Sequence, residues 1–479
     1  MTANWSLTRI KDQLDSGLKI EVAPGGTILW SAPTSRFVYQ KLYDRYGYRW
    51  NREIDGLKAL NSEQKKAAAQ TLQSWADIIP VAFEYTSDAS AGTIKFQNSS
   101  KMGDGYAWGY YPDEGNEGMQ SSIWFSSKYS ELRKPLHNSW AYLTFIHEIG
   151  HALGLNHMGN YDASRGTNYK QSCKQDVQLY SVMSYFDPWD TKEADWLGAD
   201  GRYHAPQTPM MNDIAIIQDK YGANTTTRDG DTTYGFNASA GLATIYDFSQ
   251  NATPVMCLYD RGGNDTLDLS GFAGRSRVDL TPAHFSDCAS MTKNISIARN
   301  VWIENATTGK GNDSLTGNKL NNQLVSGAGK DTLAGGDGND SLYGQSSADT
   351  LDGGNGDDYL DGGSGADKLS GGGGIDTLVG RGGADILSGG AGADHFLFNL
   401  LDGTEDVIRD FLPGSDKIVL DHSIFTRLAD VAVADIFAFI HYNTRTGLLS
   451  YDAAGDGVFS AFAQLANKAA IVADDFLIT

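Results

Sequence analysis

From Asp313 an acidic residue returns every nine positions, at Asp331, Asp340, Asp349, Asp358, Asp367, Asp376, Asp385 and Asp394, and Asn322 fills the one gap in register. Two places after each stands an apolar residue, from Leu315 and Leu324 through Leu387 to Phe396. Glycines lead into the acid: Gly309 and Gly311, Gly327 and Gly329, Gly336 and Gly338, Gly354 and Gly356, Gly363 and Gly365, Gly372 and Gly374, and Gly390 and Gly392. A nonapeptide of this kind makes a glycine-rich turn and a short strand, with the leucine pointing into a core shared by neighbouring coils. The fold this predicts is an all-β parallel β-roll. A flexible linker would have no reason to keep leucine at every ninth position.

Glycines let the turn carbonyls point inward, and each aspartate adds a carboxylate. Turns on one side, two nonapeptides apart, therefore offer calcium about six hard oxygen ligands. Charge leads to the same ion. Residues 309 to 398 hold thirteen aspartates, no glutamate and five basic side chains, in a chain of net charge −21. Without cations this stretch repels itself and is too poor in large apolar groups to fold, so several structural Ca²⁺ ions are expected as folding cofactors. The acidic balance argues against nucleic acid and anionic membranes as partners.

The string His147-Glu148-Ile149-Gly150-His151-Ala152-Leu153-Gly154-Leu155-Asn156-His157 carries the chemistry. On a helix His147 and His151 share one face, as i and i+4, and can grip one metal ion beside Glu148. On a continuing helix His157 would stand about 240° round the axis from His151, so the helix must stop between them. Gly154 is where it can stop, because glycine takes a positive φ without penalty. Three neutral imidazoles around one Zn²⁺ leave a position open for water, the layout of catalytic zinc.

This string resembles the zinc signature of the metzincin peptidases, and Ser181-Val182-Met183-Ser184-Tyr185 resembles the turn that follows it in that clan. The resemblance implies that Met183 lies under the zinc and that Tyr185 joins His147, His151 and His157 as a ligand of the resting zinc. With the nonapeptide array added, the chain resembles the serralysin family from about residue 62 to its last residue. That implies an α+β metzincin catalytic domain over 1–222, where the composition also shifts, and a calcium-binding RTX β-roll over 223–479. Arg228 to Thr232 and Asp260 to Asp265 match the family's first calcium loops. The resemblance implies ligands at Arg228, Gly230, Thr232, Asp260, Gly262, Gly263 and Asp265, and a further site at Gly263, Asp265, Trp302 and Glu304.

The activity implied is that of a zinc endopeptidase in which Glu148 is the general base and Tyr185 assists at the oxyanion. The segment Gly105, Tyr106, Ala107 and Trp108 matches the family's sheet edge above the cleft. An edge of this kind holds a peptide by main-chain hydrogen bonds, which implies broad specificity. Implied partners are protein and peptide substrates, a type I secretion apparatus and a proteinaceous inhibitor, with the chain a monomer and no membrane partner. Two departures stand out. The array is longer than is usual in the family, and the turns 317–322 and 344–349 have lost glycines, so weak or empty calcium sites are expected there. Met158 follows the third histidine where the family commonly has proline.

No N-terminal segment resembles a signal peptide, and no apolar run approaches the roughly 18 residues that span a bilayer. Calcium sites of this modular type fill outside cells, so a secreted, extracellular protein is expected. The resemblance implies export through a C-terminal signal, here Asp475-Phe476-Leu477-Ile478-Thr479, which differs from the family's ending by one extra polar residue. Cys173, Cys257 and Cys288 are an odd number, which leaves at least one thiol free. His137, His204, His284, His395, His422 and His441 read as structural. Asn61-Ser62-Glu63-Gln64 opens a helix expected to run to about Ile79, followed by strands around 83–85, 93–97, 106–111 and 122–125. The rival from another class is a calcium-dependent adhesin or surface protein with a degenerate protease domain, but no zinc-site residue is missing. A roll serving as a calcium-gated aid to export is compatible with proteolysis. A matrix-metalloproteinase-like reading fits the zinc string but not the nonapeptides.

Overall fold

The computed structural model describes residues 4–39, 51–103, 105–112, 121–159, 161 and 170–479. The chain forms two compact units, one of Met1–Asp231, Ala240–Gly263 and Ser290–Val301, the other of Thr232–Ser239, Asn264–Ala289 and Trp302–Thr479.

In the first unit a sheet runs in the order Ala82–Tyr85, Thr27–Ser31, Ile94–Ser99, Ser121–Ser126, Ala107–Gly109. The first four strands are parallel, and Ala107–Gly109 joins antiparallel at the edge. Every residue of Ile94–Ser99 and Ser121–Ser126 is buried, as befits central strands covered on both faces. The helix Ser62–Ala76 begins with a capping box: Asn61 Oδ1 accepts the Gln64 N–H at 2.8 Å and Gln64 Oε1 accepts the Asn61 N–H at 3.1 Å. It ends at Ala76, short of the expected Ile79, where the Ile78 N–H turns to the Trp75 carbonyl at 3.0 Å and the four-residue ladder breaks. Ile79 is still fully buried.

The second unit contains two mainly parallel ten-stranded sheets built from alternate nonapeptides. On one, Leu315 pairs with Leu333, Leu333 with Leu351 and Leu351 with Leu369; on the other, Leu324 pairs with Leu342, Leu342 with Leu360 and Leu360 with Leu378. Each coil therefore takes two nonapeptides. The leucines from Leu315 to Leu387, and Phe396, are at most 2% exposed, so the ninth-position side chains are the core of the roll. Turn glycines stack with backbone touching backbone: a Cβ on Gly354 would lie 2.1 Å from the Gly336 carbonyl oxygen, and one on Gly372 2.1 Å from that of Gly354. In the glycine-poor turn Gln345 and Ser347 hold φ of 67° and 81°, so the stack imposes a left-handed backbone on residues that pay roughly 1–2 kcal/mol for it.

Among the described residues Cys173, Cys257 and Cys288 form no disulfide, and all three are buried. Among the described residues no helix is long and apolar enough to cross a membrane.

Candidate metal centre

The helix Trp140–Ala152 starts on a Ser139 cap, whose Oγ accepts the Tyr142 N–H at 3.3 Å, and carries His147 and His151 on one face. It closes through Gly154, whose φ of 97° lets the Leu155 N–H return to the Gly150 carbonyl at 2.8 Å. That reversal brings His157 back, with its Nε2 3.0 Å from His151 Nε2. One ring nitrogen from each of His147, His151 and His157 lies within 4.8 Å of the others. Each Nδ1 is held by a backbone carbonyl: His147 by Val182 at 2.8 Å, His151 by Leu155 at 2.7 Å and His157 by Tyr161 at 3.0 Å. With Nδ1–H donated outward, each Nε2 keeps its lone pair for the centre. Burial pushes His147 down to about 3 and His151 well below its ordinary value, which keeps both neutral, as metal ligands must be. Three imidazole nitrogens make a donor set that fits zinc and leaves its remaining coordination open.

Glu148 is 5% exposed, and burial pushes its carboxyl up to about 8. Its Oε2 has no hydrogen-bond partner among the described residues, whereas the Gly109 N–H reaches the carboxylate. A Cβ on Gly109 would stand 2.7 Å from the Glu148 carbonyl oxygen, so glycine is what lets the sheet edge come this close. Along that edge the Tyr106 carbonyl accepts Ser126 N–H and Tyr110 N–H donates to the Ser122 carbonyl, both at 2.9 Å. Antiparallel alternation then turns the backbone groups of Ala107 and Gly109 outward. Trp108 lies over Gly105, and Tyr106 packs on Tyr129 at 4.8 Å between ring centroids.

Met183 is fully buried beneath the helix, so close to Gly150 that a Cβ there would meet its Sδ at 2.6 Å. The Tyr185 ring is half-buried, 4.6 Å from the His157 ring and 5.9 Å from that of His147. Three residues that the motifs did not single out fasten this arrangement. Asp213 accepts Ser181 Oγ at 2.6 Å, Val182 N at 2.8 Å and Met210 N at 2.9 Å, and so fixes the carbonyl that orients His147. Burial pushes Asp213 up to about 7. Tyr161 supplies the carbonyl for His157 and accepts the Tyr185 N–H on its hydroxyl at 3.2 Å, and Asp176 in turn accepts that hydroxyl's proton. No spacing rule marks them: Asp176 stands between Gln175 and Val177, and Asp213 between Asn212 and Ile214.

In the roll, one carboxylate oxygen of each ladder aspartate from Asp331 to Asp394 accepts a backbone N–H from eighteen residues earlier, as Asp331 does from Asp313, Asp340 from Asn322, Asp349 from Asp331 and Asp358 from Asp340, while Asp313 accepts that of Ser276. The second oxygen, Oδ2, is buried without a hydrogen-bond partner among the described residues at Asp313, Asp331, Asp340, Asp349, Asp358, Asp367, Asp376, Asp385 and Asp394. Beside Gly335 one point lies 2.2 Å from Asp340 Oδ2 and 2.6 Å from the Gly353 carbonyl oxygen. Such a cradle, a spare carboxylate oxygen beside a backbone carbonyl, fits a hard cation. The two glycine-poor turns, both expected to be weak or empty, differ. Beside Gly344 the same cradle survives, 2.6 Å from Asp349 Oδ2 and 2.7 Å from the Gly362 carbonyl. Beside Gly317 the spacing also survives, 2.3 Å from Asn322 Oδ1 and 2.2 Å from the Gly335 carbonyl oxygen, but here the side-chain oxygen is already taken: Oδ1 accepts the Asn318 N–H at 2.6 Å and Nδ2 donates to the Glu304 carbonyl at 2.7 Å.

The residues of the first calcium loops fall in both units. Within the first, the Arg228 guanidinium binds Asp77 and the carbonyls of Ala240 and Tyr259, Asp260 Oδ1 accepts the Gly262 N–H at 2.9 Å, and a Cβ on Gly263 would meet the Gly230 carbonyl oxygen at 2.7 Å. Within the second, Asp265 accepts Thr232 N–H at 2.8 Å and its own N–H donates to Glu304 at 2.7 Å, while Lys319 sits over the Trp302 ring.

Comparison with known proteins agrees with this geometry. The family model described as Peptidase M10 serralysin C terminal matches residues 223–478, and the model described as Matrixin matches residues 47–182. Among curated proteins the chain is 39% identical over 279 residues to the metalloprotease AprA of Pseudomonas entomophila, covering 57% of each chain. It is 41% identical over 271 residues to a serralysin of Photorhabdus sp. (strain Az29), covering 55% of this chain and 54% of that one. To serralysin G of Dickeya chrysanthemi it is 37% identical over 278 residues, 56% of each. The chain thus spans little more than half the length of the curated relatives it matches. Since the serralysin model alone covers more than half of the chain, and the matrixin model covers the histidine string, this chain belongs to the serralysin family of M10 peptidases.

Proposed function

We propose that this chain is a secreted zinc-dependent endopeptidase of broad specificity. The observation that carries the reading is the meeting of three imidazole nitrogens, an unpartnered Glu148 oxygen and an outward-facing strand edge. Zinc, when bound by His147, His151 and His157, supplies Lewis-acid polarisation and a lowered pKa for water. Ala107, through its backbone N–H and carbonyl, and Gly109, through its carbonyl, offer main-chain hydrogen bonds to an extended peptide, which is why side-chain identity matters little. Glu148 takes a proton from the attacking water and returns it to the leaving amine. Its unpartnered oxygen gives it room to do so. The Tyr185 phenol donates to the carbonyl oxygen as negative charge grows there.

In this reading residues 1–222 carry catalysis, and residues 223–479 form a calcium-folded RTX roll that also bears the export signal. Supporting it are the unpartnered ladder oxygens and the cradles beside Gly335 and Gly344. Partners are then protein and peptide substrates, a type I secretion apparatus and a proteinaceous inhibitor, with the protein acting as a monomer outside the cell. Elemental analysis alongside casein hydrolysis tests the core of the proposal. Expected are one zinc per chain, several calcium ions, and near-complete loss of turnover in Glu148→Ala with zinc retained; casein hydrolysis retained by that variant overturns the role of Glu148.

A further inference from the structure

Between His151 and His157 the chain leaves its helix and doubles back, and nothing in that loop is a helix or a paired strand that would hold it. Its backbone is instead matched, nearly residue by residue, to a segment well over a hundred positions earlier. Gln13 Nε2 donates to the His157 carbonyl at 3.3 Å. The Asn156 N–H donates to the Leu14 carbonyl at 2.6 Å, and Asn156 Nδ2 to the Asp15 carbonyl at 3.2 Å. Asp15 forms an antiparallel bridge with Leu155, and Ser16 gives both its N–H, at 3.1 Å, and its Oγ–H, at 2.7 Å, to the Gly154 carbonyl. The Tyr221 hydroxyl joins the ends, accepting the Ile20 N–H at 2.8 Å and donating to the Leu153 carbonyl at 3.1 Å.

The segment is itself anchored. Ile10, Leu14 and Ile20 are at most 2% exposed, Lys11 pairs with Asp219 and Asp15 with Lys220. A Cβ on Gly154 would lie 1.9 Å from the Leu18 carbonyl oxygen, so loop and segment meet backbone to backbone. Two of the metal-binding rings depend on the clasped residues. His157 belongs to the loop, and the Leu155 carbonyl orients His151 through Nδ1.

We propose that residues 13–20 form a strap that positions His151 and His157, so that the geometry of the metal centre is set partly by a segment outside both sequence motifs. The inference rests on the three histidines holding zinc, and deepens that reading. Its members are positioning residues, since none touches the metal or the substrate.

The test uses the full chain with zinc, and with cobalt(II) in its place. In Gln13→Ala/Ser16→Ala, zinc release to a chelator is expected to quicken at least about tenfold and the cobalt absorption bands to shift, as for other groups that orient metal ligands. Restoring the hydroxyl alone, as Gln13→Ala/Ser16→Thr, should recover a large part of the slow release. Unchanged release and unchanged bands in the double alanine variant overturn the strap. Hydrogen exchange of the unaltered, metal-free protein reads it separately: Asn156 N–H should be protected, and exchange at the rate of an open loop also overturns the proposal. A parent protein that takes up no zinc would instead overturn the metal assignment, with the Asn156 exchange still reporting on the strap.

Discussion

The Tyr161 phenol donates to Oδ1 of Asp176 across 2.7 Å, and the same oxygen accepts the Ser184 hydroxyl at 2.8 Å. The other oxygen takes the Ser172 N–H at 2.8 Å, and Asp176 is fully buried. One carboxylate therefore ties the segment that orients His157 to the segment that presents Tyr185. Asp176→Ala would leave three donors buried without an acceptor, a loss of about 3 kcal/mol or more. Tyr161→Phe removes one of those donors and the acceptor for the Tyr185 N–H, costing about 1–2 kcal/mol. Denaturant unfolding should rank the two in that order. An Asp176→Ala protein as stable as its parent would mean that the carboxylate holds nothing together.

Gly109→Ala tests the approach of the sheet edge to Glu148. The added methyl would lie 2.7 Å from a backbone oxygen and 3.0 Å from Glu148 Oε2, and backbone cannot swing aside as a long side chain can. The edge must retreat and lose its donor to the carboxylate. We expect casein turnover to fall at least about tenfold while zinc content is unchanged, since a displacement near 1 Å costs on that scale. Equal activity would show that the edge tolerates the shift and is no part of the catalytic arrangement.

The roll was legible in the sequence because its period is half a coil, so each leucine meets its own kind eighteen residues on and one frame dictates both sheets. The reversal at Gly154 was legible for a similar reason: two constraints, a helical pair and a third ligand, left one place for the chain to turn. Tyr161, Asp176 and Asp213 were not, because each works through partners scattered from 3 to 32 positions away with no repeating interval. The strap over 13–20 lies further off still, pairing across 138 to 144 positions. Composition changes near residue 222, yet residues 240–263 and 290–301 pack with the first unit. Local content records what a segment is made of, and not which neighbour it packs against.

Acid should stabilise the roll when calcium is absent. Burial pushes Asp340, Asp358 and Asp367 up to about 6, and Asp349 and Asp376 up to about 7. A carboxyl whose pKa is higher folded than unfolded binds protons more tightly in the fold, so its contribution is full below about pH 4 and is lost as pH rises through 6 to 7. Chelated protein should therefore gain circular-dichroism strand signal and protease resistance between pH 7.5 and 4.5. With calcium in excess the sign reverses, because the ion needs the ionised form. A chelated roll equally structured at both pH values would contradict this.

Asn322 and Asp349 occupy equivalent places in the ladder, yet only one has an oxygen to spare. Both amide groups of Asn322 are used, Nδ2 on the Glu304 carbonyl and Oδ1 on the Asn318 N–H, so that rung is closed without an ion. The 344–349 turn kept its cradle although two of its turn positions lack glycine. On the proposed calcium reading, Asp349→Asn should remove an ion from the total measured by elemental analysis. Asn322→Asp should act in two directions: without calcium it strands the Glu304 carbonyl and costs about 1–3 kcal/mol, and with calcium it supplies the oxygen this rung lacks and raises the count. An unchanged count in both variants would mean that ions do not sit at these rungs, and the orphaned oxygens would then need another partner.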